Sequence, residues 1–190
     1  MTKNILLVGV GGQGTILASK ILTIGLMEAG YDVKMSEIHG MSQRGGSVSS
    51  QVRYGEHVYS PVIEKGDADI LVSFEKMEAL RNLDYVKPNG VVVVNEVEIP
   101  TMSVLTGDQV YAKDVIDEIS KTVETKVVDA TKMAKELGNE KAANMILLGT
   151  IIKKMGLDNI NWEAILKANM KEKLVALNVK ALNVGMDAVK

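Results

Sequence analysis

The sequence predicts an α/β protein: a three-layer open sheet, mostly parallel, with an α-helical C-terminal segment packed on it. Three observations carry this reading. Short, continuously apolar runs such as "NILLV" and "GVVVVN" have the pattern of strands buried on both faces. Up to Ala130 these runs alternate with helical patterns, as a parallel sheet with crossover helices requires. Beyond Ala130 only helical patterns remain, and their apolar stripes need a surface to cover.

In chain order, "NILLV" (4–8) is the first strand, and a glycine turn follows it. "TILASKILTIGLMEAG" is the first helix, with Ile16, Leu17, Ile21, Ile24 and Leu26 near helical spacing and Gly30 as its stop. "YDVKMSE" is the second strand, which completes a parallel crossover. "SVSSQVRYG" alternates like a half-exposed strand, and "EHVYSPVI" is expected to pair with it across a turn at Gly55. "ADILVSF" and "GVVVVN" flank the helix "EKMEALRNLDYV"; the helix "AKDVIDEISK" and the strand "TKVVDA" finish the sheet. The helices "TKMAKELG", "EKAANMILLGTIIKKMG", "NWEAILKANM" and "EKLVALNVKALNVGMDAVK" then close one face and offer a subunit contact. The chain reads as a single domain, with residues 1–129 as sheet core and 130–190 as helical part.

Composition bounds the chemistry. At 190 residues the chain can bury roughly two thirds of its unfolded surface without a metal or disulfide. A formal net charge of -2 excludes a broad basic face, and with it a nucleic-acid or anionic-membrane partner; any anion must be caught locally. Without Cys there is no disulfide, no thiolate metal site, no cluster ligation by thiolate and no Cys nucleophile, and two His are too few for a His-rich metal site. No metal site is therefore expected. No apolar run approaches the roughly 20 residues of a membrane span, and the apolar start has neither a basic lead-in nor a cleavage signal. The expected location is the cytoplasm.

Two motifs carry candidate function. Gly9-Val10-Gly11-Gly12-Gln13-Gly14 matches G-x-G-x-x-G between a strand and a helix, where backbone N–H groups and a helix N-terminus approach a phosphate. Glu37, in the second strand, sits near the roughly 20-residue spacing at which an acidic residue binds a ribose, which by itself points to NAD and a Rossmann-like sheet. The alternative is a glycine turn that only packs the first helix on the sheet. The second motif departs from the NAD pattern: Glu37 runs into "IHGMSQRGG" rather than into a helix. The stretch from His39 to Gly55 holds four Ser, four Gly, two Gln and two Arg, too polar to bury itself. Here Arg44 is placed to clamp a carboxylate or phosphate, Ser42 and Gln43 to give neutral hydrogen bonds, Gly45 and Gly46 to shape the loop, and His39 to shuttle a proton or to cap a backbone group. Arg44 as a salt-bridged surface residue is the competing reading. Met41, Met145 and Met155 read as packing or interface residues.

"GVGGQGTILASKIL" together with "SEIHGMSQRGGSVSSQVR" closely resembles the gamma-domain family of 2-oxoacid:ferredoxin oxidoreductases, and "NEKAANMILLG" is similar to that family's later helix motif. The lead-in "HGMSQRGG" tilts the resemblance toward the small subunits of members acting on indolepyruvate and other aryl-pyruvates, with the gamma subunits of pyruvate or 2-oxoglutarate enzymes as the alternative. The resemblance implies a subunit of an enzyme that converts a 2-oxoacid, coenzyme A and oxidised ferredoxin to an acyl-CoA, carbon dioxide and reduced ferredoxin. It implies thiamine diphosphate and iron–sulfur clusters in a large partner subunit, coenzyme A as co-substrate and ferredoxin reached through the complex; a homodimer of the isolated chain, through the surface meant for the large subunit, stays open. "GDA" at Gly66 to Ala68, with Asn95 downstream, imitates the family's thiamine motif but has Ala where Gly belongs, and reads as a turn. An independent NAD-dependent oxidoreductase and a purely structural partner of the large subunit are the other classes in view.

Overall fold

The computed structural model describes residues 1–40 and 45–190. Among them, six strands form one sheet in the order β2-β3-β1-β4-β5-β6, with β1 Lys3–Val10, β2 Asp32–His39, β3 Ser47–Gly55, β4 Ala68–Ser73, β5 Val86–Asn95 and β6 Glu124–Val128. Every pairing is parallel except those of β3, which runs antiparallel to both β1 and β2. The cause is chain length. Only residues 40–46 join β2 to β3, too few for the dozen or so that a crossover needs, so β3 turns back beside β2. The helix α1, Thr15–Glu28, does carry the chain from β1 to a parallel β2, but β3 occupies the place between them.

That insertion explains one departure from the sequence reading. The segment "EHVYSPVI" does not form a strand on β3, because β3 already has a hydrogen-bonded neighbour on each side and offers no free edge. The segment crosses the sheet face instead. Arg53 Nη1 donates to the carbonyls of Ser60 and Val62 (3.1 and 2.9 Å), and Ile63 N–H donates to Gln51 Oε1 at 2.7 Å. The Gly66–Ala68 turn leads into β4 as expected, with Ala68 fully buried. Asn95 ends β5 as a structural residue, donating to Phe74 O and accepting from Ala130 N–H.

Two apolar layers enclose the sheet. On one face Ile5, Leu7, Ile70, Val72 and Val93 pack against α1 and the C-terminal helices α5 (Ala130–Glu136), α6 (Ala143–Lys154), α7 (Trp162–Asn169) and α8 (Glu172–Asp187). On the other, Leu6, Val8, Leu71, Val92 and Val94 meet α2 (Lys76–Arg81) and α4 (Val115–Ser120). A four-residue helix α3, Met102–Leu105, lies in a segment the periodicity left without an element. Asn144 to Ile152 of α6 are all buried, so this helix is apolar all round rather than striped. Met145 is fully buried and Met155 packs against the same core, as expected of filler methionines.

Helices α6 and α8 cross at near backbone contact. A Cβ on Gly185 would lie 1.9 Å from Ile146 O, and one on Gly149 would lie 2.2 Å from Leu182 O, so neither position has room for a methyl group. Replacing Gly185 by Ala forces the helices apart. The expected cost is about 3 kcal/mol, read as a melting temperature lower by roughly 5–10 °C in calorimetry.

Tyr54 is buried with its ring edge-on to Tyr31, centroids 5.1 Å apart. Burial pushes its phenol up to about 12, with Tyr31 and Asp69 adding to the shift. The fold therefore favours the neutral phenol. Its stability is intact below the ordinary tyrosine value of about 10 and falls as pH climbs toward 12. Urea midpoints measured between pH 9 and 12 should decline less steeply in Tyr54→Phe than in the parent chain.

Candidate functional site

The glycine turn closes the carboxyl end of β1. Gly9 packs so closely on Phe74 that a Cβ would sit 2.8 Å from Phe74 Cβ. Gln13 staples the turn: its Oε1 accepts from Val10 N–H and its Nε2 donates to Phe74 O, both at 2.7 Å. Gly12 and Gly14 take positive φ, and Gly14 is the N-cap of α1 with no side-chain cap. On its inner side Gly14 meets Asn144 of α6, whose Nδ2 donates to Gly14 O at 3.4 Å. The turn's own amides are partly committed. Gly11 N–H donates to Gly46 O at 2.8 Å and Gln13 N–H to Val10 O at 3.1 Å. Among the described residues no acceptor meets the amides of Gly12 and Gly14, which leaves those and the first turn of α1 to receive an anion.

The second loop is joined to the first by backbone. Besides Gly11 to Gly46, Gly45 N–H donates to Gly11 O at 3.3 Å, so Gly45 and Gly46 lie directly on the glycine turn. The two motifs do not meet as loops after neighbouring strands, since β2 and β1 are not adjacent; the start of β3, with Ser47 paired to Val10, brings Gly45 and Gly46 to the turn. Ser42, Gln43 and Arg44, with Met41, lie outside the described residues. His39 ends β2 in an exposed position, its Nδ1 3.1 Å from Gly40 O, in one row with Val48 and Gly9. Two strand spacings, about 10 Å, separate it from the turn.

Glu37 stands in the row Glu37–Ser50–Leu7 on the α1 face. Its Oε1 and the hydroxyl of Ser50 are buried without a hydrogen-bond partner among the described residues. The NAD reading needs this carboxylate one strand from the glycine turn; the insertion of β3 puts it two strands away with one oxygen buried.

A part of the site that sequence reasoning missed lies where the connections from β1 and β4 diverge to opposite faces, the position at which open sheets bind ligands. A cavity of about 60 Å³ there is lined by Val10, Gly45, Ser47, Glu75, Glu78 and Arg81, among others. Glu75 follows β4 and is 1% exposed; it accepts from Glu78 N–H, Ile99 N–H and the Tyr111 hydroxyl. Burial and this carboxylate hold the Tyr111 phenol well above its usual range. Glu78 is equally buried, pairs with Arg81 and accepts from the Ser47 hydroxyl at 2.6 Å. The available signal was an acidic residue directly after a strand with a second three positions on, a capping pattern that the periodicity of "EKMEALR" concealed.

Comparison with known proteins gives the family and supports the fold. The model of the pyruvate ferredoxin/flavodoxin oxidoreductase family matches residues 4–188. The chain belongs to this family. Indolepyruvate oxidoreductase subunit IorB of Thermococcus kodakarensis is 37% identical, covering 98% of this chain and 96% of its own. Ketoisovalerate oxidoreductase subunit VorA of Methanothermobacter thermautotrophicus is 26% identical over 94% of this chain but only 35% of its own length. Among solved structures, a keto/oxoacid ferredoxin oxidoreductase gamma subunit from Geobacter sulfurreducens superposes with a TM-score of 0.72 at 23% identity, covering 98% of both chains. Within this oxidoreductase family fold, the glycine turn, Gly45–Gly46 and the Glu75–Glu78 cavity lie together at the carboxyl end of β1.

Because Gln13 bridges the end of β1 and the residue just after β4, Gln13→Ala leaves Val10 N–H without its acceptor at a half-buried position and Phe74 O with Asn95 as its remaining donor. A loss of about 2 kcal/mol is expected in urea unfolding.

Proposed function

We propose that this chain is the small subunit of an indolepyruvate ferredoxin oxidoreductase, completing a site whose cofactors sit in a large partner subunit. The observation that carries the reading is 37% identity to an indolepyruvate oxidoreductase subunit across nearly the whole of both chains. Relatives named for ketoisovalerate, pyruvate and 2-oxoglutarate stand lower, at 26%. The reaction is the oxidative decarboxylation of an aryl-pyruvate to its acyl-CoA, with electrons passed to ferredoxin.

A partner subunit is supported by the names of the relatives: those 34–37% identical are each named as a subunit of an indolepyruvate oxidoreductase. Exposed Met102, Leu105 and Val110, in the segment that follows β5, give that partner apolar contact near the loops. Thiamine diphosphate and iron–sulfur clusters, held by the partner, supply the decarboxylation and the electron path; a chain without Cys has no thiolate for a cluster. Ferredoxin is reached through the complex, and the isolated chain self-associates by the face the partner otherwise covers. A cytoplasmic location is proposed; among the described residues no helix is long and apolar enough to cross a membrane.

The chain's own contribution is to bind and orient. Arg44, with Ser42 and Gln43 beside it, holds an anionic group of the 2-oxoacid or of coenzyme A. The amides of Gly12, Gly14 and the start of α1, which meet no acceptor among the described residues, receive a phosphate of coenzyme A. His39, exposed at the end of β2, exchanges a proton with solvent or substrate.

The test is co-expression with the large subunit and an anaerobic assay of 2-oxoacid- and coenzyme A-dependent ferredoxin reduction. Activity should require both chains and be highest with indolepyruvate. Arg44→Ala should raise KM for the 2-oxoacid or coenzyme A about tenfold or more with assembly intact. A fully active large subunit alone would reduce this chain to a structural partner.

A further inference from the structure

We propose that Glu78 is a positioning residue: its buried carboxylate holds the start of β3 and thereby keeps the Gly45–Gly46 arm of the second loop against the glycine turn. The functional weight of that arm rests on the reading given above, whereas the mechanical role does not.

The argument begins with the cost of the group. A carboxylate that is 1% exposed must be compensated on both oxygens. Arg81, one turn along the same helix, takes Oε1, and the Ser47 hydroxyl donates to Oε2 at 2.6 Å. The carboxylate has little freedom to move. Its backbone N–H is held by Glu75 Oε2 at 3.0 Å, and its carbonyl accepts from Asn82 Nδ2 at 2.9 Å, so α2 is tied at both ends around it. Glu75 is in turn bound to the segment after β5 through Ile99 N–H and the Tyr111 hydroxyl.

Ser47 is the receiving end. It is the first residue of β3 and follows Gly46, whose carbonyl accepts the Gly11 N–H. Two consecutive glycines have the largest backbone freedom to lose on ordering. Among the described residues, this arm is otherwise tied to the turn by the reciprocal bonds between Gly11 and Gly45–Gly46 and by the pairing of Ser47 with Val10. Glu78 supplies the anchor from outside the strand pair, so a short connection runs from α2 through the Ser47 side chain to the glycine turn. The carboxylate also lines the cavity beside Arg81, which places this anchor next to any group that enters there.

Hydrogen exchange on the full chain, resolved by NMR, tests the mechanical role directly. In Ser47→Ala and in Glu78→Ala the amides of Gly11 and Gly45 should exchange about tenfold faster, while Leu6, Leu7 and the β4 amides keep their parent rates. The double variant should show no further acceleration, since both changes remove the same bond. Ser47→Thr, which keeps a hydroxyl, should restore slow exchange. Unchanged exchange at Gly11 and Gly45, or equal acceleration across every strand, would overturn the proposal. The same variants in the complex should raise KM for coenzyme A or 2-oxoacid several-fold with kcat nearly constant. Faster exchange with unaltered KM would uphold the anchor and count against the loops as a binding surface.

Discussion

Residues 40–46 are too short a link to cross a sheet, and much of the molecule follows from that constraint. Because the link is short, β3 turns back on β2. Because β3 then lies between β2 and β1, its first residue is drawn beside the end of β1, and Gly45 and Gly46 are joined to the glycine turn. The same geometry removes the free edge that a further hairpin strand would need and moves Glu37 a full strand away from the glycine turn. A dinucleotide fold has a parallel strand at that position; here an antiparallel one exchanges ribose recognition for a joined pair of loops.

The carboxyl edge is organised by buried charge as much as by glycine. Two carboxylates, on Glu75 and Glu78, are withdrawn from water within one turn of helix, and each is compensated by groups from other parts of the chain. Such groups serve as crosslinks: Glu75 gathers α2 and the segment after β5, and Glu78 gathers α2 and β3. The chain as a whole carries a net charge of -2, so an anionic ligand meets no general attraction. Binding of an anion would fall to local donors, and among the described residues the amides of Gly12 and Gly14 meet no acceptor.

Much of the fold was legible in the sequence, for reasons that can be named. Strands buried on both faces leave unbroken apolar runs, and β1, β4 and the later half of β5 were readable as such. The C-terminal helices were readable from length and periodicity. The pairing partner of β3 was not, because alternation along "SVSSQVRYG" shows that a strand exists and is silent on which edges it fills. At the site, the glycine turn and the Gly45–Gly46 arm were visible as motifs, and the structure joins them by hydrogen bonds. Gln13 was grouped with ligand-binding residues although both ends of its amide are consumed by backbone. Glu75 and Glu78 escaped notice because an acidic residue at a helix start is ordinarily a solvated cap, and only tertiary packing makes these two buried.

The close crossing of α6 and α8 has a bearing on the far end of the molecule. Helix α6 carries Gly149, seated on the α8 backbone, and, about a turn and a half earlier, Asn144, seated on Gly14. A helix pinned by main-chain contact at one point cannot slide, and each residue of slippage would shift it about 1.5 Å along its axis. The underside of the glycine turn thus rests on a platform whose height is set by the last helix of the chain. Residues 172–187 act as a gauge block for the residues beneath the proposed phosphate site.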